Sequence, residues 1–203
     1  MTTQTAPLQT GRSDHSQTND RPLGIFLAIA GAIGTLASAV LTHDKIVLLE
    51  AKIAGDNAVL GCDLNPFVSC SSVLQTDQAA AFGFPNPFIG IIAFSVLMTI
   101  GVVLATGVKL PRWMWTGLQI GVVFGALFVT WLQYESIFRI QALCPWCMVV
   151  WTVTIPTVVL VTRRFTGWKF LRNWTGLIIA LWFVAVLTAI GFEFGAQFAA
   201  WLG

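Results

Sequence analysis

Charge is what this 203-residue chain has least of: 10% of its residues are Asp, Glu, Lys or Arg, against about 25% in soluble domains. That shortage excludes an ordinary soluble globule, because a water-facing helix needs a polar face at every turn or so. Histidine is nearly absent, with His15 in the N-terminal stretch and His43 at the end of an apolar run. No C-x-x-C-H and no G-x-G-x-x-G occurs, so haem attachment and dinucleotide binding have no signature. The net charge of +2 is small and carries no message about nucleic acid.

What is abundant is apolar surface, at 56% of residues. Five charge-free stretches, 23–42, 87–108, 113–134, 142–162 and 174–192, approach the roughly 20 residues that cross a bilayer as a helix. They predict an all-α integral membrane protein with an extracytoplasmic loop at 43–86. Gly31, Gly34, Gly101, Gly117, Gly121 and Gly125 recur inside these spans. Small residues let membrane helices approach closely, so a compact bundle is expected. Residues 1–22, rich in Thr, Gln, Ser and Asp, read as a disordered cytoplasmic tail ahead of a membrane domain at 23–203. Ala37-Ser38-Ala39 has the A-x-A form of a cleavage site, but the apolar run is long enough for an uncleaved span.

Placing the N-terminus in the cytoplasm puts Arg12, Arg21, Lys109, Arg112, Arg163, Arg164, Lys169 and Arg172 inside and leaves Lys45, Lys52 and Arg139 outside. Cytoplasmic loops carry the excess of Lys and Arg, so this orientation is favoured, with the C-terminus outside. All four cysteines then lie on the extracytoplasmic face, where disulfides form and persist.

Cys144-Pro145-Trp146-Cys147 is a C-x-x-C, a spacing that permits a reversible disulfide and lowers the pKa of one thiol. Its apolar flank, Met148-Val149-Val150-Trp151, places it at or below the membrane surface. Cys62 and Cys70 lie in a loop polar enough to be solvated, which predicts an exposed, mobile pair. One exposed and one embedded pair together suit a thiol–disulfide relay. Its terminal acceptor is expected to be a lipid-soluble quinone reaching an apolar pocket between helices. The same four cysteines also fit two structural disulfides in a non-catalytic scaffold or, less well at this spacing, a zinc site. A transporter calls for ionisable groups inside the spans, which the charge-free stretches lack.

Three segments carry a resemblance: 62–73, CDLNPFVSCSSV; 82–90, FGFPNPFIG; and 144–147, CPWC. Together they resemble the vitamin K epoxide reductase (VKOR) family, specifically its bacterial members. The resemblance implies a four-helix bundle around a quinone, here with a fifth transmembrane helix. It also implies that Cys147 lies nearest the quinone ring, Cys144 exchanges with the loop, Cys70 receives the disulfide and Cys62 meets the partner. Asn86 matches a residue that hydrogen-bonds a quinone carbonyl, although Pro85-Asn86-Pro87 also reads as a plain turn. Thr76 stands where the family has a serine and keeps its hydroxyl. Trp151 replaces a substrate-contacting tyrosine of vertebrate members; its indole donates but cannot accept, which favours quinone over epoxide as substrate.

The expected activity is therefore a quinone-dependent disulfide generator of the bacterial inner membrane. It would use menaquinone, ubiquinone or a vitamin K-like quinone, and serve a DsbA-like thioredoxin-fold partner in the oxidative folding of secreted proteins. The alternative is reduction of a quinone or its epoxide for its own sake, with thiols as electron source.

Overall fold

The computed structural model describes residues 19–56 and 58–202, the last seven as backbone only. The tail expected at 1–22 falls outside these residues as far as 18, and Arg21 and Pro22 already belong to the first helix.

That helix, α1 (Arg21–Ala54), opens with Pro22 in its first turn, where the missing N–H is not needed, and stops at Gly55, whose φ of 77° suits a residue without Cβ. It runs well past Thr42. Lys45, Glu50 and Lys52 interrupt the apolar run but not the helix, because residues 43–54 contain no Gly or Pro and keep Leu48 facing inward. The charges mark where the helix leaves the apolar layer. The expected loop at 43–86 is shortened accordingly.

A short helix α2 (Cys70–Leu74) and a 3₁₀ turn (Asp77–Ala80) lead to α3 (Pro87–Ala105). Then come α4 (Arg112–Tyr134), which continues into a π-helical turn at Glu135–Ile140, α5 (Pro145–Thr166) and α6 (Lys169–Leu202). Five of these helices are long and apolar enough to cross a membrane, and no strand of a sheet forms among the described residues. The expected all-α membrane bundle is thus present. Helix α1 packs on α3 and α5, α4 packs on α5, and α6 adds to the outside of α5.

The glycines divide into two sets. A Cβ at Gly24 or Gly31 of α1 would fall inside the backbone of α3, and one at Gly101 of α3 would fall inside the α1 backbone at Leu27 and Ala28. These positions allow α1 and α3 to touch along their length. A Cβ on Gly117, Gly121 or Gly125 of α4 would meet nothing within 4 Å. Expected to tighten the bundle, these three instead line a cavity between α3 and α4. At the end of the bundle away from the cysteines, Arg164 pairs with Asp20 (2.8 Å from Nη2 to Oδ2) and lies over the Trp115 ring, 5.0 Å from its centroid. This fastens the start of α1 to the end of α5 and the start of α4.

Candidate active site

The loop between α1 and α3 is built around Asn65 and Asp63. Asn65 Oδ1 accepts the N–H groups of Phe67 (2.9 Å) and Val68 (2.7 Å), closing a turn over Pro66. Asp63 accepts from Leu60 N–H (2.9 Å), Ser69 Oγ (2.8 Å), Ser71 N–H (3.0 Å) and Ser71 Oγ (2.8 Å). Burial pushes the Asp63 carboxyl up, but these four bonds outweigh it and hold the group below its ordinary value. A depressed carboxylate contributes stability that is present above its unfolded value of about 3.9 and is lost as pH falls through the folded value. Lower protection of the Ser71 and Leu60 amides, relative to their intrinsic exchange rates, is therefore expected as the pH falls through that depressed value, and at neutral pH in Asp63→Ala. Hydrogen-exchange mass spectrometry checks both.

Residues 67–69 then pair with the chain just before α5. Leu143 N–H donates to Phe67 O (2.8 Å) and Ser69 N–H donates to Leu143 O (3.0 Å), a parallel bridge between Val68 and Leu143. Cys70 follows Ser69, whose N–H makes the second of these bonds, and Cys144 follows Leu143, so the bridge sets Cys70 beside Cys144. Their sulfurs are 3.4 Å apart, close to van der Waals contact and short of a bond.

Cys62 and Cys70 form a disulfide, and Cys144 and Cys147 are free thiols. Cys144 is the N-cap of α5, its sulfur accepting the Cys147 N–H at 3.4 Å, the helix-terminal setting that favours a thiolate.

The loop pair is not exposed as the polar sequence led one to expect. Cys62 is 9% exposed and Cys70 and Cys144 are fully buried. The reason is apolar: Leu60 and Leu74 of the loop close down on Leu41 and Leu48 of the extended α1 and seal the sulfurs beneath them.

Cys147 faces the other way, into a cavity of about 790 Å³ walled by α3 and α4, within the size range of small-molecule sites. Its walls are almost wholly apolar, with Thr76, Gln78, Asn86 and Glu135 among the few polar groups lining it, and Trp151 also reaches it. Asn86, Thr76, Trp151 and Cys147 thus come together on one cavity, whereas Cys62, Cys70 and Cys144 do not line it.

The Asn86 carboxamide also serves the turn: Nδ2 donates to Gln78 O (2.7 Å) and Oδ1 accepts Ala81 N–H (3.0 Å). Both readings of Pro-Asn-Pro therefore have structural content. Thr76 Oγ1 donates its hydrogen to Val73 O at 2.8 Å, leaving only acceptor capacity toward the cavity. Trp151 is buried against Val129, Ile137, Leu143 and Phe194.

Sequence reasoning passed over Glu135, which lies one residue beyond the third charge-free run and receives a hydrogen bond from Gln78 Nε2 at 3.3 Å. An ionisable group does therefore line the membrane-level cavity. The apolar lining, the few convergent polar groups and the thiol at one wall fit a quinone head group with an isoprenoid tail.

Fold and site define a multi-pass membrane thiol oxidoreductase. The model of the vitamin K epoxide reductase family matches residues 25–162, more than half of the chain and the whole of the site, and the chain belongs to that family. Members of the family are membrane oxidoreductases that couple thiol chemistry to quinones.

Proposed function

We propose that the protein oxidises the dithiol of an extracytoplasmic thioredoxin-fold, DsbA-like partner and passes the electrons to a membrane quinone, so generating disulfides for secreted proteins in a bacterial cell membrane. The observation that carries this reading is the chain of sulfurs. A loop disulfide touches a buried thiol at 3.4 Å, and the thiol one helical turn further on opens onto an apolar cavity.

In this reading the partner's thiolate attacks Cys62 and leaves with the disulfide. Cys70 next attacks Cys144 of an oxidised Cys144–Cys147 pair, and Cys62 then displaces Cys144 to restore the loop disulfide. The reduced Cys144–Cys147 pair gives two electrons to the quinone: dithiol and quinone become disulfide and quinol. The arrangement described above, loop oxidised and inner pair reduced, corresponds to the moment before the quinone reacts. When bound, the quinone supplies the two-electron acceptor. Asn86, with one amide hydrogen on Gln78 and a second remaining, holds a carbonyl oxygen of the head group, and the Trp151 indole N–H offers a further donor.

The sulfurs lie on the face opposite the basic connections Lys109–Arg112 and Arg163–Arg172, which supports a cytoplasmic N-terminus. Because Cys62 is sealed beneath Leu60, docking of the partner has to open the loop locally. The test is capture in cells. In Cys70→Ala the lone Cys62 thiol attacks the disulfide of an oxidised partner, breaking that bond as the Cys62–partner bond forms. With no Cys70 to displace it, a mixed disulfide with a thioredoxin-fold protein should accumulate, identified by mass spectrometry. Absence of any such adduct contradicts the partner assignment.

A further inference from the structure

One carboxylate sits among the sulfurs without a structural task. Asp44, on the part of α1 that extends beyond the apolar run, has its Oδ2 3.6 Å from Cys62 Sγ. One of its oxygens and the sulfurs of Cys62 and Cys70 all lie within 4.8 Å of one another. Its side chain is 14% exposed, next to the Leu41, Leu48, Leu60 and Leu74 cluster that covers the sulfurs. The exposed His43 ring lies 3.7 Å from the other Asp44 oxygen. Lys45, the next residue, turns its ammonium to Leu74 O at 2.6 Å and so is engaged with α2. A half-desolvated carboxylate is costly unless something uses it. Sulfurs joined in a disulfide are poor metal ligands and offer no hydrogen to accept, so the closed pair gives Asp44 no role. The reduced pair does, because a Cys62 thiol at this distance has its hydrogen within reach of Oδ2.

We propose that Asp44 is a catalytic residue, the proton acceptor for Cys62 in the step that rebuilds the loop disulfide; this rests on the relay described above. In that step Cys70 is bonded to Cys144 and Cys62 is a thiol. The Asp44 carboxylate takes the Cys62 S–H proton, and the Cys62 sulfur attacks Cys70 Sγ. The Cys62–Cys70 bond forms, the Cys70–Cys144 bond breaks, and the electron pair leaves on Cys144 as a thiolate, stabilised by the N-terminus of α5. Cys62 is oxidised and Cys144 reduced, and the proton ends on Asp44. The titratable groups around this reaction are His43 and Lys45 on α1, Cys62, Asp63 and Cys70 in the loop, and Cys144 at the start of α5. Of these, His43 is the exposed group placed to relay the proton to water.

The experiment follows the Cys70–Cys144 bond in time. The full chain in liposomes is reduced with dithiothreitol, freed of it, exposed to ubiquinone-1, quenched in acid, alkylated and mapped without reduction. In Asp44→Asn the Cys70–Cys144 species should build up and decay on the order of 100-fold more slowly at pH 6.5, the usual size of a general-base effect. Its decay should then quicken about tenfold per pH unit between pH 6.5 and 8, as the thiolate fraction grows without a base. Wild type and Asp44→Glu should decay fast with little dependence over that range.

Decay of Asp44→Asn at the wild-type rate, or slowed equally at every pH as a structural effect would be, overturns the assignment. If Asp44→Asn cannot close its loop disulfide at all, Asp44→Ser against Asp44→Glu decides: identical pH profiles overturn it, and a steep profile in the serine variant alone supports it. Cys62→Ala separates the two levels, since it should hold the Cys70–Cys144 bond without decay. Failure of that bond to form in Cys62→Ala removes the relay, and Asp44's role with it. Its formation there, together with an unaltered Asp44→Asn, removes Asp44 alone.

Discussion

Cys147→Ala should lower quinone-dependent turnover by on the order of 10³-fold or more, as removal of a covalent participant does elsewhere, while leaving the loop chemistry able to run backward. Cys147 is the cysteine whose side chain reaches the cavity, and Cys144 is the one whose sulfur lies 3.4 Å from Cys70. Without Cys147 the inner pair cannot hold a disulfide, so no oxidant reaches the loop from the quinone. Cys144 can still attack Cys70 in the existing Cys62–Cys70 bond, because that exchange needs only the contact already present. The variant should therefore show a Cys70–Cys144 bond and a free Cys62 in a peptide map made without reduction, at a fraction set by equilibrium. Cys147→Ser should behave the same way, since an oxygen cannot stand in for the sulfur. A variant that keeps quinol formation would place the reacting thiol elsewhere.

A second large effect separates two kinds of glycine. Gly121→Leu puts a side chain where a Cβ meets nothing within 4 Å, on the α4 face that lines the cavity. The fold should tolerate it, and the quinone should not: a rise in KM for quinone of about tenfold corresponds to about 1.4 kcal/mol of binding. Gly101→Leu forces a side chain into the α1 backbone at Leu27 and Ala28, and overpacking of that sort costs about 1–3 kcal/mol or more. It should lower the thermal midpoint of the detergent-solubilised protein, with the quinone KM of the surviving fraction unchanged. Thermal melts and quinone titrations on both variants give the comparison. Equal loss of stability in the two would mean that the space beside Gly121 closes up in the folded protein.

The helices were legible because the sequence withholds charge from them: five uncharged runs can be satisfied only as membrane-level helices. Their ends were less legible. Lys45, Glu50 and Lys52 mark departure from apolar surroundings, whereas the backbone of α1 answers to Gly55. The four cysteines were evident as two pairs from their spacing and from the apolar flank of Cys144 and Cys147. Their contact was not, since Cys70 and Cys144 are 74 residues apart in sequence and meet through backbone bonds at Leu143 that no side-chain pattern announces. The loop looked solvated because its polar residues were counted; its burial depends on where Leu60 and Leu74 land. Asp44 and Glu135 lie just outside apolar runs, and it is the fold that brings Asp44 to Cys62 and Glu135 to the cavity. Asn86 was recognisable from Phe-Pro-Asn-Pro, yet its bonds to Gln78 and Ala81 make it a structural residue as well as a cavity one.

The most direct test of the relay is quinol formation by the purified chain in liposomes, supplied with a reduced thioredoxin-fold dithiol protein and ubiquinone-1 and followed by absorbance. One quinol should appear for each partner disulfide formed, and turnover should vanish in Cys144→Ala and in Cys62→Ala. Turnover that persists in Cys144→Ala, or a wild-type protein that oxidises the dithiol without forming quinol, would contradict it.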